Sequence, residues 1–492
     1  MPKTPLMLKK LLRFVGIALL VLLVVLVFNT LRSKPWPVAA ANSNPPPMPD
    51  SAVAHLSQAV QIPTISINDT AAIDTAAFIK FGQFVQQAYP QINTHLTKTM
   101  VDGLNFVFEW KGQDTALAPV ILMGHYDVVP VEAAVLNKWV APPFGGLVTD
   151  SCVWGRGSVD DKASVIAVLE AAEALLRKGF APKRTIYLCF GHDEETNGTG
   201  AKAIVEYLKQ KNVHPELVLD EGGEITEEQK SLVSRPIAVV GVAEKGYASY
   251  EFSVEKEGGH SSKPAKETAV DILVTALYKL RQQTPPVTLT PPVKEFLNRV
   301  GTSSNSFLTR MAFNNMWLFK GVVEGQLAAQ PEGSAMLHTT IVPTIIQTGV
   351  KDNVIPSTAK AIVNSRILTG ETVASVQEYM EKIINDSRVK IKRVSRFGGD
   401  PSTATSVQSP AFKRVESAIT QNVPDVIPAP YLMIGATDSR AYRSISDGVL
   451  NFLPMTDGKG YHGINERLPL RDLHRSINFM MTLLEESNKE FK

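Results

Sequence analysis

Cysteine is nearly absent from this chain. Its 492 residues include two, Cys152 and Cys189. That excludes a disulfide-rich scaffold and a zinc cluster held by thiolates, and it allows at most one bridge. An excess of either charge is also missing. The 50 Lys and Arg stand against 48 Asp and Glu, a net charge of +2. A nucleic-acid-binding chain usually carries a marked basic excess, so that class is set aside. No internal repeat is visible. The length suffices for two or more domains with a large buried core.

What the chain does have begins at the N-terminus. Lys3, Lys9, Lys10 and Arg13 precede an unbroken apolar run from Phe14 to Phe28. Fifteen helical residues span roughly 22 Å, short of a ~30 Å hydrocarbon core. Adding Leu11, Leu12 and Leu31, with Arg13 snorkelling, makes a crossing feasible. The basic flank comes first, so an anchor would leave the rest of the chain outside the cytoplasm. The rival is a secreted protein whose signal peptide is cleaved at Val38-Ala39-Ala40-Ala41. Arg32 and Lys34, just past the apolar run, favour an uncleaved membrane anchor over 1–34. Residues 35–49, with Asn44-Pro45-Pro46-Pro47, read as an extended linker.

From residue 50 the pattern is α/β. Helical spacing over 51–62 and 71–88 precedes a strand at 104–110. The apolar run Pro119-Val120-Ile121-Leu122-Met123 predicts a strand buried on both faces. A helix at 163–178, a strand at 184–190, a helix at 200–210 and a strand at 216–219 follow. This alternation predicts a mixed, largely parallel sheet with helices on both faces. Near residue 243 the order changes to strand (249–255), helix (266–281), two strands (338–347, 358–367), helix (373–385) and strand (388–394). Residues 243–396 therefore read as an α+β domain inserted into a catalytic domain made of 50–242 and 397–492. Within it, 293–335 reads as a helical insertion rich in Phe, Leu, Met and Trp. It either packs as ordinary helices or a subunit contact, or lines an apolar substrate pocket.

Polar residues gather directly after successive strands, where open α/β sheets place their ligands. Gly124-His125-Tyr126-Asp127 follows the buried strand. Asp160-Asp161 follows the turn Gly155-Arg156-Gly157 and opens a helix. Gly191-His192-Asp193-Glu194-Glu195 places three acids in a row, an arrangement that neither a core nor a bare surface favours. Asp220-Glu221-Gly222-Gly223 ends another strand, and His462 stands far downstream. Each signal is weak alone, being equally at home as a cap, a turn or a solvated pair. Together, two histidines and several carboxylates without a usable cysteine fit a dinuclear zinc-type site.

The segments GHYDVVPV, WGRGSVDDK, GHDEETNGTG, LDEGG, GGHSSKP, DNVIPSTAKAIVNSR, GATDSR and YHGINERL resemble, in order, the motifs of the co-catalytic zinc aminoacylase/carboxypeptidase family. The branch they resemble is that of carboxypeptidase S and the N-fatty-acyl-amino-acid synthase/hydrolases. The resemblance covers about 50–490. It implies a zinc peptidase-like catalytic domain, an inserted lid/dimerisation domain and two Zn2+ per subunit. His125, Asp160 and Asp220 would hold one ion, with Glu221 competing for the role of Asp220. Asp160, Glu195 and His462 would hold the other, with a cis peptide at Asp160–Asp161. Asp127 would orient His125. Glu194 would be the general base and later the acid. His260 would stabilise the oxyanion, often across a dimer, and Asn353, Arg366 and Thr437 would hold the substrate. The implied substrate is a small peptide or N-acyl-amino acid whose amine side bears a free carboxylate. A homodimer would form through the inserted domain. The alternative from a different class is an inactive binding protein with the same fold. The intact Glu194 and complete ligand set argue against it.

Overall fold

The computed structural model describes residues 6–38, 45–67, 73–227, 232–394, 398–456 and 458–491. The Ala39-Ala40-Ala41 motif and the first two residues of the helix expected over 71–88 lie outside the described residues. The organising element is a nine-stranded mixed sheet. Its main strands are β1 (Thr97–Val101), β2 (Asn105–Trp110), β3 (Val120–His125), β4 (Ile186–Gly191), β5 (Leu217–Asp220), β6 (Ile237–Glu244), β7 (Ile427–Met433) and β8 (Val449–Asn451). Their spatial order is β1-β2-β4-β3-β5-β8-β6-β7, and the two-residue strand Ile225–Thr226 pairs with β6. β4, β3, β5 and β8 run parallel, as do β6 and β7. β1, β2 and the β8–β6 contact are antiparallel.

Alternation along the central strands feeds two cores. Val120 and Leu122 of β3, with Ile186, Leu188 and Phe190 of β4, face helices Ala52–Val60, Thr75–Ala88, Lys162–Arg177, Pro410–Asn422 and Leu470–Glu486. Ile121 and Met123, with Tyr187 and Cys189, face helix Thr199–Gln210 on the other side. Burial on both faces is why these strands read as continuous apolar runs. Both cysteines are free thiols, so the one bridge the sequence allowed does not form.

The chain leaves the sheet after Glu244 and returns near Gly399, and the two crossings touch. Tyr247 N donates to Gly399 O at 3.0 Å and Ser402 N to Glu244 O at 3.0 Å. A side chain at Gly246 would meet Gly399 O at 2.7 Å, so the close approach needs glycine there. Between the crossings, strands Thr340–Thr348, Thr358–Ile367, Gly246–Glu255 and Lys390–Arg393 form a four-stranded antiparallel sheet in that order. Helices Ala269–Arg281 and Val373–Ile384 cover one face over a separate core of Tyr250, Phe252, Ile272, Val363 and Met380.

Residues 291–337 depart from the expected division. They form helices α1 (Pro291–Thr302), α2 (Phe307–Asn314), α3 (Met316–Ala328) and α4 (Pro331–Leu337). These helices do not join the core of the inserted sheet. Val293, Leu297 and Val323 pack with Ala243 of β6 and Leu432 of β7. Arg299 of α1 donates to Pro428 O at 2.8 Å and pairs with Glu416 at 2.5 Å. The insertion thus caps the outer edge of the catalytic sheet. The N-terminal helix Leu6–Arg32 runs against α2, and its Lys9–Arg32 portion is long and apolar enough to cross a membrane.

The core also supports the loop that will matter for chemistry. Phe81, fully buried, stacks on Tyr126 with centroids 4.6 Å apart, and Tyr126 sits between His125 and Asp127. Phe81→Ala is expected to cost about 3–5 kcal/mol of stability, because the ring leaves a cavity the sheet cannot close. Urea unfolding of the folded chain measures this. A loss under about 1 kcal/mol would show that the region repacks freely.

Candidate metal centre

The site is built where β4, β3, β5 and β8 end side by side. His125 is the last residue of β3, in register with Gly191 at the end of β4. Its imidazole is almost fully buried. Nδ1 hydrogen-bonds the backbone O of Asp127 at 3.2 Å, with Asp127 Oδ1 also 3.2 Å away. With that proton given to Asp127, Nε2 faces Asp160 Oδ1 at 3.1 Å and Glu221 Oε1 at 3.2 Å. His462 Nε2 lies 3.0 Å from Asp160 Oδ2 and 3.0 Å from Glu195 Oε2. Asp160 therefore presents one oxygen to each histidine. Ligand atoms about 2.1 Å from a shared tetrahedral ion are separated by roughly 3.4 Å, close to these spacings. Glu194 stands at the edge of the cluster, Oε2 4.0 Å from His125 Nε2. The bond between Asp160 and Asp161 is cis, as the resemblance implied.

Among the sequence-based assignments, the geometry departs at Asp220. Its carboxylate turns away and accepts from Ser439 N at 3.0 Å, while Glu221 reaches His125. Alternation explains this: neighbouring residues at a strand end point to opposite sides, and Glu221 faces the cluster. Asp220 instead ties the end of β5 to the Thr437–Ser439 turn. Thr437 donates through N and Oγ1 to Glu244 Oε1, at 3.0 and 2.9 Å. Arg366 lies over the Tyr247 ring, 4.8 Å from its centroid. His260 and Asn353 are exposed on the ribbon made by Gly259–His260 and Val354–Ile355. Among the described residues, no hydrogen bond or ion pair joins either of them to the cluster of His125, Asp160, Glu195, Glu221 and His462.

Four supporting groups escaped the sequence reading. Glu466, fully buried, accepts from Gly157 N (3.0 Å), Val159 N (2.9 Å), Asp160 N (3.1 Å) and Arg156 Nη1 (2.6 Å), and so shapes the loop that presents Asp160. Asp161 accepts from His125 N at 3.2 Å, and a side chain at Gly124 would meet its Oδ2 at 2.9 Å. Ser66 Oγ donates to Asp127 Oδ2 at 2.5 Å. Arg440 lies near Arg366; its Nη2 donates to Lys245 O at 2.6 Å while Nη1 is buried without a hydrogen-bond partner. The signals were present: an acid four residues after His462, an arginine inside the Gly155–Gly157 turn, and Arg440 within the GATDSR segment. Asp127 also accepts from Glu194 N and Glu195 N, each at 3.2 Å, joining the β3 and β4 loops. Asp193 accepts from Thr199 N at 2.8 Å and Gly200 N at 2.7 Å, and His192 pairs with Asn105 at 2.7 Å, so both hold the loop.

Electrostatics give this arrangement one stable resolution. Burial, then the charge of Asp160, pushes the Glu221 carboxyl up to about 7. Burial raises Glu194 well above the carboxylate range, with Asp438, Glu221 and Glu195 adding to it. His462 is lifted to about 10 by its hydrogen bonds to Asp160 and Glu195. Burial pulls His125 down, but Glu221, Asp127 and Asp160 more than offset it. Glu195 Oε1 is buried without a hydrogen-bond partner. Imidazole nitrogens and carboxylate oxygens, converging and short of positive charge, fit divalent cations of borderline hardness.

The comparisons agree. The sequence pattern of Peptidase family M20/M25/M40 matches residues 121–486, and the chain belongs to that family of metal-dependent peptidases. It is 37% identical over 446 residues to the probable carboxypeptidase S-like 2 of Dictyostelium discoideum, covering 88% of this chain and 84% of that protein. It is 33% identical over 447 residues to the N-fatty-acyl-amino acid synthase/hydrolase PM20D1 of Homo sapiens, covering 88% and 87%. The fold matches the M20 family metallo-carboxypeptidase Sso-CP2 of Sulfolobus solfataricus with a TM-score of 0.66 at 17% identity, covering 89% of this chain and 100% of that one. The chain is thus a metallopeptidase-family hydrolase of the carboxypeptidase/aminoacylase type.

Glu221→Gln should lower the metal retained after dialysis, read by elemental analysis, and Asp220→Asn should not; the reverse would return the ligand role to Asp220. Asp127→Asn should weaken metal affinity about 10–100-fold. In the metal-free protein His462, His125 and Glu221 hold protons near neutrality, because their values are raised. A cation must displace those protons, so affinity should fall as pH drops from 8 to 6. Calorimetric affinity that is constant over that range would contradict the assignment.

Proposed function

We propose that the chain is a dinuclear zinc hydrolase that frees an amino acid bearing an α-carboxylate from a small peptide or an N-acyl-amino acid. The observation that carries this is Asp160, whose two oxygens face His125 and His462 separately, with Glu221 and Glu195 completing the two groups. His125, Asp160 and Glu221 would hold one zinc and Asp160, Glu195 and His462 the other. When bound, such a pair polarises the amide carbonyl and makes water more acidic. The rest belongs to the protein. Glu194 is the proton carrier: its raised affinity for a proton suits a group that takes one from water and delivers it to the departing nitrogen. Asp127 keeps His125 in one tautomer and holds the Glu194–Glu195 backbone at the same time.

The substrate carboxylate is read as lying between Thr437 and the paired guanidinium groups of Arg366 and Arg440. The unpartnered Nη1 of Arg440 supports this, since a planar fork suits a carboxylate. His260 and Asn353 would act on a neighbouring subunit's site in a homodimer formed through the inserted domain. Its edge strand Thr340–Thr348 supports this, with Val342, Ile345 and Ile346 exposed. The N-terminal helix is read as an anchor that leaves the catalytic part outside the cytoplasm, supported by the basic residues Lys9, Lys10 and Arg13 at its start.

The decisive variant is Glu194→Gln. It should keep its full complement of metal yet lose at least about 10²–10⁴-fold in turnover on N-acyl-amino acids and dipeptides. Near-normal turnover with metal bound would remove Glu194 from the proton-carrying role. A wild-type protein inactive on the whole panel would remove the enzyme reading.

A further inference from the structure

The N-terminal helix does not leave the body of the protein at its end. One of its faces is covered over roughly its last two turns: Leu26 and Thr30 are buried, and Leu22 and Asn29 are partly covered. The cover is α2 of the insertion. The contact is locked by Asn315, fully buried at the junction of α2 and α3. Asn29 Nδ2 donates to Asn315 Oδ1 at 2.8 Å, and Asn315 Nδ2 donates to Leu26 O at 3.1 Å. Polar pairs of this kind fix one helix against another at a single depth. Below it, Trp36 lies under the Arg299 guanidinium at 4.0 Å, and Arg235 Nη1 donates to Trp36 O at 2.6 Å. The end of the apolar helix is therefore rigidly joined to the insertion.

The apolar run ends at Phe28, and Leu22 lies six residues before it, about 9 Å along the axis. The insertion thus reaches the level of the last two turns of the apolar run. An interfacial helix buries its apolar face to about 5–10 Å, the same depth. Beside that contact, α2 and the α3 that follows it leave large apolar side chains uncovered: Phe307 (37% exposed), Leu308 (70%), Trp317 (63%), Leu318 (45%) and Val322 (56%). Lys320 and Glu324 on α3 pair at 3.6 Å, and the long lysine stem can carry its charge to the headgroup level. Tryptophan and leucine beside lysine is the composition favoured at a membrane surface.

The geometry points to α2 and α3 as a second membrane contact, seated in the outer interface of the bilayer that the N-terminal helix crosses. This rests on reading that helix as an anchor. The occupant is the lipid of that same leaflet. The consequence is that the catalytic sheet, whose edge carries the insertion, is held at a fixed height and orientation over the membrane rather than swinging on the 35–49 linker.

Full-length protein in liposomes tests this with brominated phosphatidylcholines, whose bromines sit at shallow or deep acyl carbons. The Trp317 signal is the difference between wild type and Trp317→Phe, and Leu20→Trp reports the anchor separately. The expected result is loss of the Trp317 signal, greater with shallow than with deep bromines, together with quenching of Leu20→Trp. Quenching of Leu20→Trp with no loss of the Trp317 signal would overturn the docking and leave the anchor standing. Quenching of neither would overturn both. A Leu308→Cys protein that cross-links to a second copy in the bilayer, with Trp317 unquenched, would assign the face to that copy and also overturn the inference.

Discussion

Negative charge that the protein cannot neutralise by itself governs this structure. Parallel strands end together and deliver His125, Glu221 and the Glu194–Glu195 loop to a space that Asp160, on the turn before helix Lys162–Arg177, and His462 share. In water such a set would fly apart, and in a core it would have to take up protons. Burial and mutual repulsion raise the proton affinity of Glu194 and Glu221, and hydrogen bonds to Asp160 and Glu195 raise that of His462. The fold holds the carboxylates close enough that a divalent cation is their natural partner. Metal affinity and proton affinity are then two descriptions of one stored repulsion.

Holding such a set requires a frame that does not yield. Glu466 supplies part of it, since the amides of Gly157, Val159 and Asp160 and the Arg156 side chain converge on its carboxylate. Asp127 supplies another, spanning the β3 and β4 loops while facing His125. Asp161 and Ser66 each fix one more atom of the same assembly. None of these side chains is read as a ligand, yet each sets where a ligand atom sits. The site is thus a property of register and loop hydrogen bonds as much as of the metal-facing residues.

The sequence made much of this legible, for physical reasons. β3 and β4 are buried on both faces, so their apolar runs announced them, and the acids that follow marked the functional ends. The helices over 163–178 and 200–210 appear within a residue or so of their expected limits because apolar spacing and flanking turns agree there. β1 was not seen: it is an edge strand with little burial, and so carries no strong pattern. β8 is three residues long, too short for any period to register. The motifs named the cluster but could not separate Asp220 from Glu221, because side-chain direction at a strand end depends on where the strand stops. The placement of 291–337 was also hidden. Amphipathic helices show that they pack, but not against which partner, and only the fold reveals that theirs are β6, β7 and the N-terminal helix.

The insertion links the catalytic sheet to the N-terminal helix. It covers the open edge of the catalytic sheet, a place where unpaired backbone would otherwise invite association, and it grips the apolar helix through Asn315. The catalytic centre and the N-terminal segment are therefore one mechanical unit. The central claim remains the two-part metal centre divided by Asp160. Anomalous diffraction collected above and below the zinc edge, from crystals of the zinc-loaded protein, tests it most directly. Two anomalous peaks are expected in each chain, one beside His125 and Glu221 and one beside His462 and Glu195, with Asp160 touching both. A single peak, or a pair in which Asp160 touches only one, would contradict it.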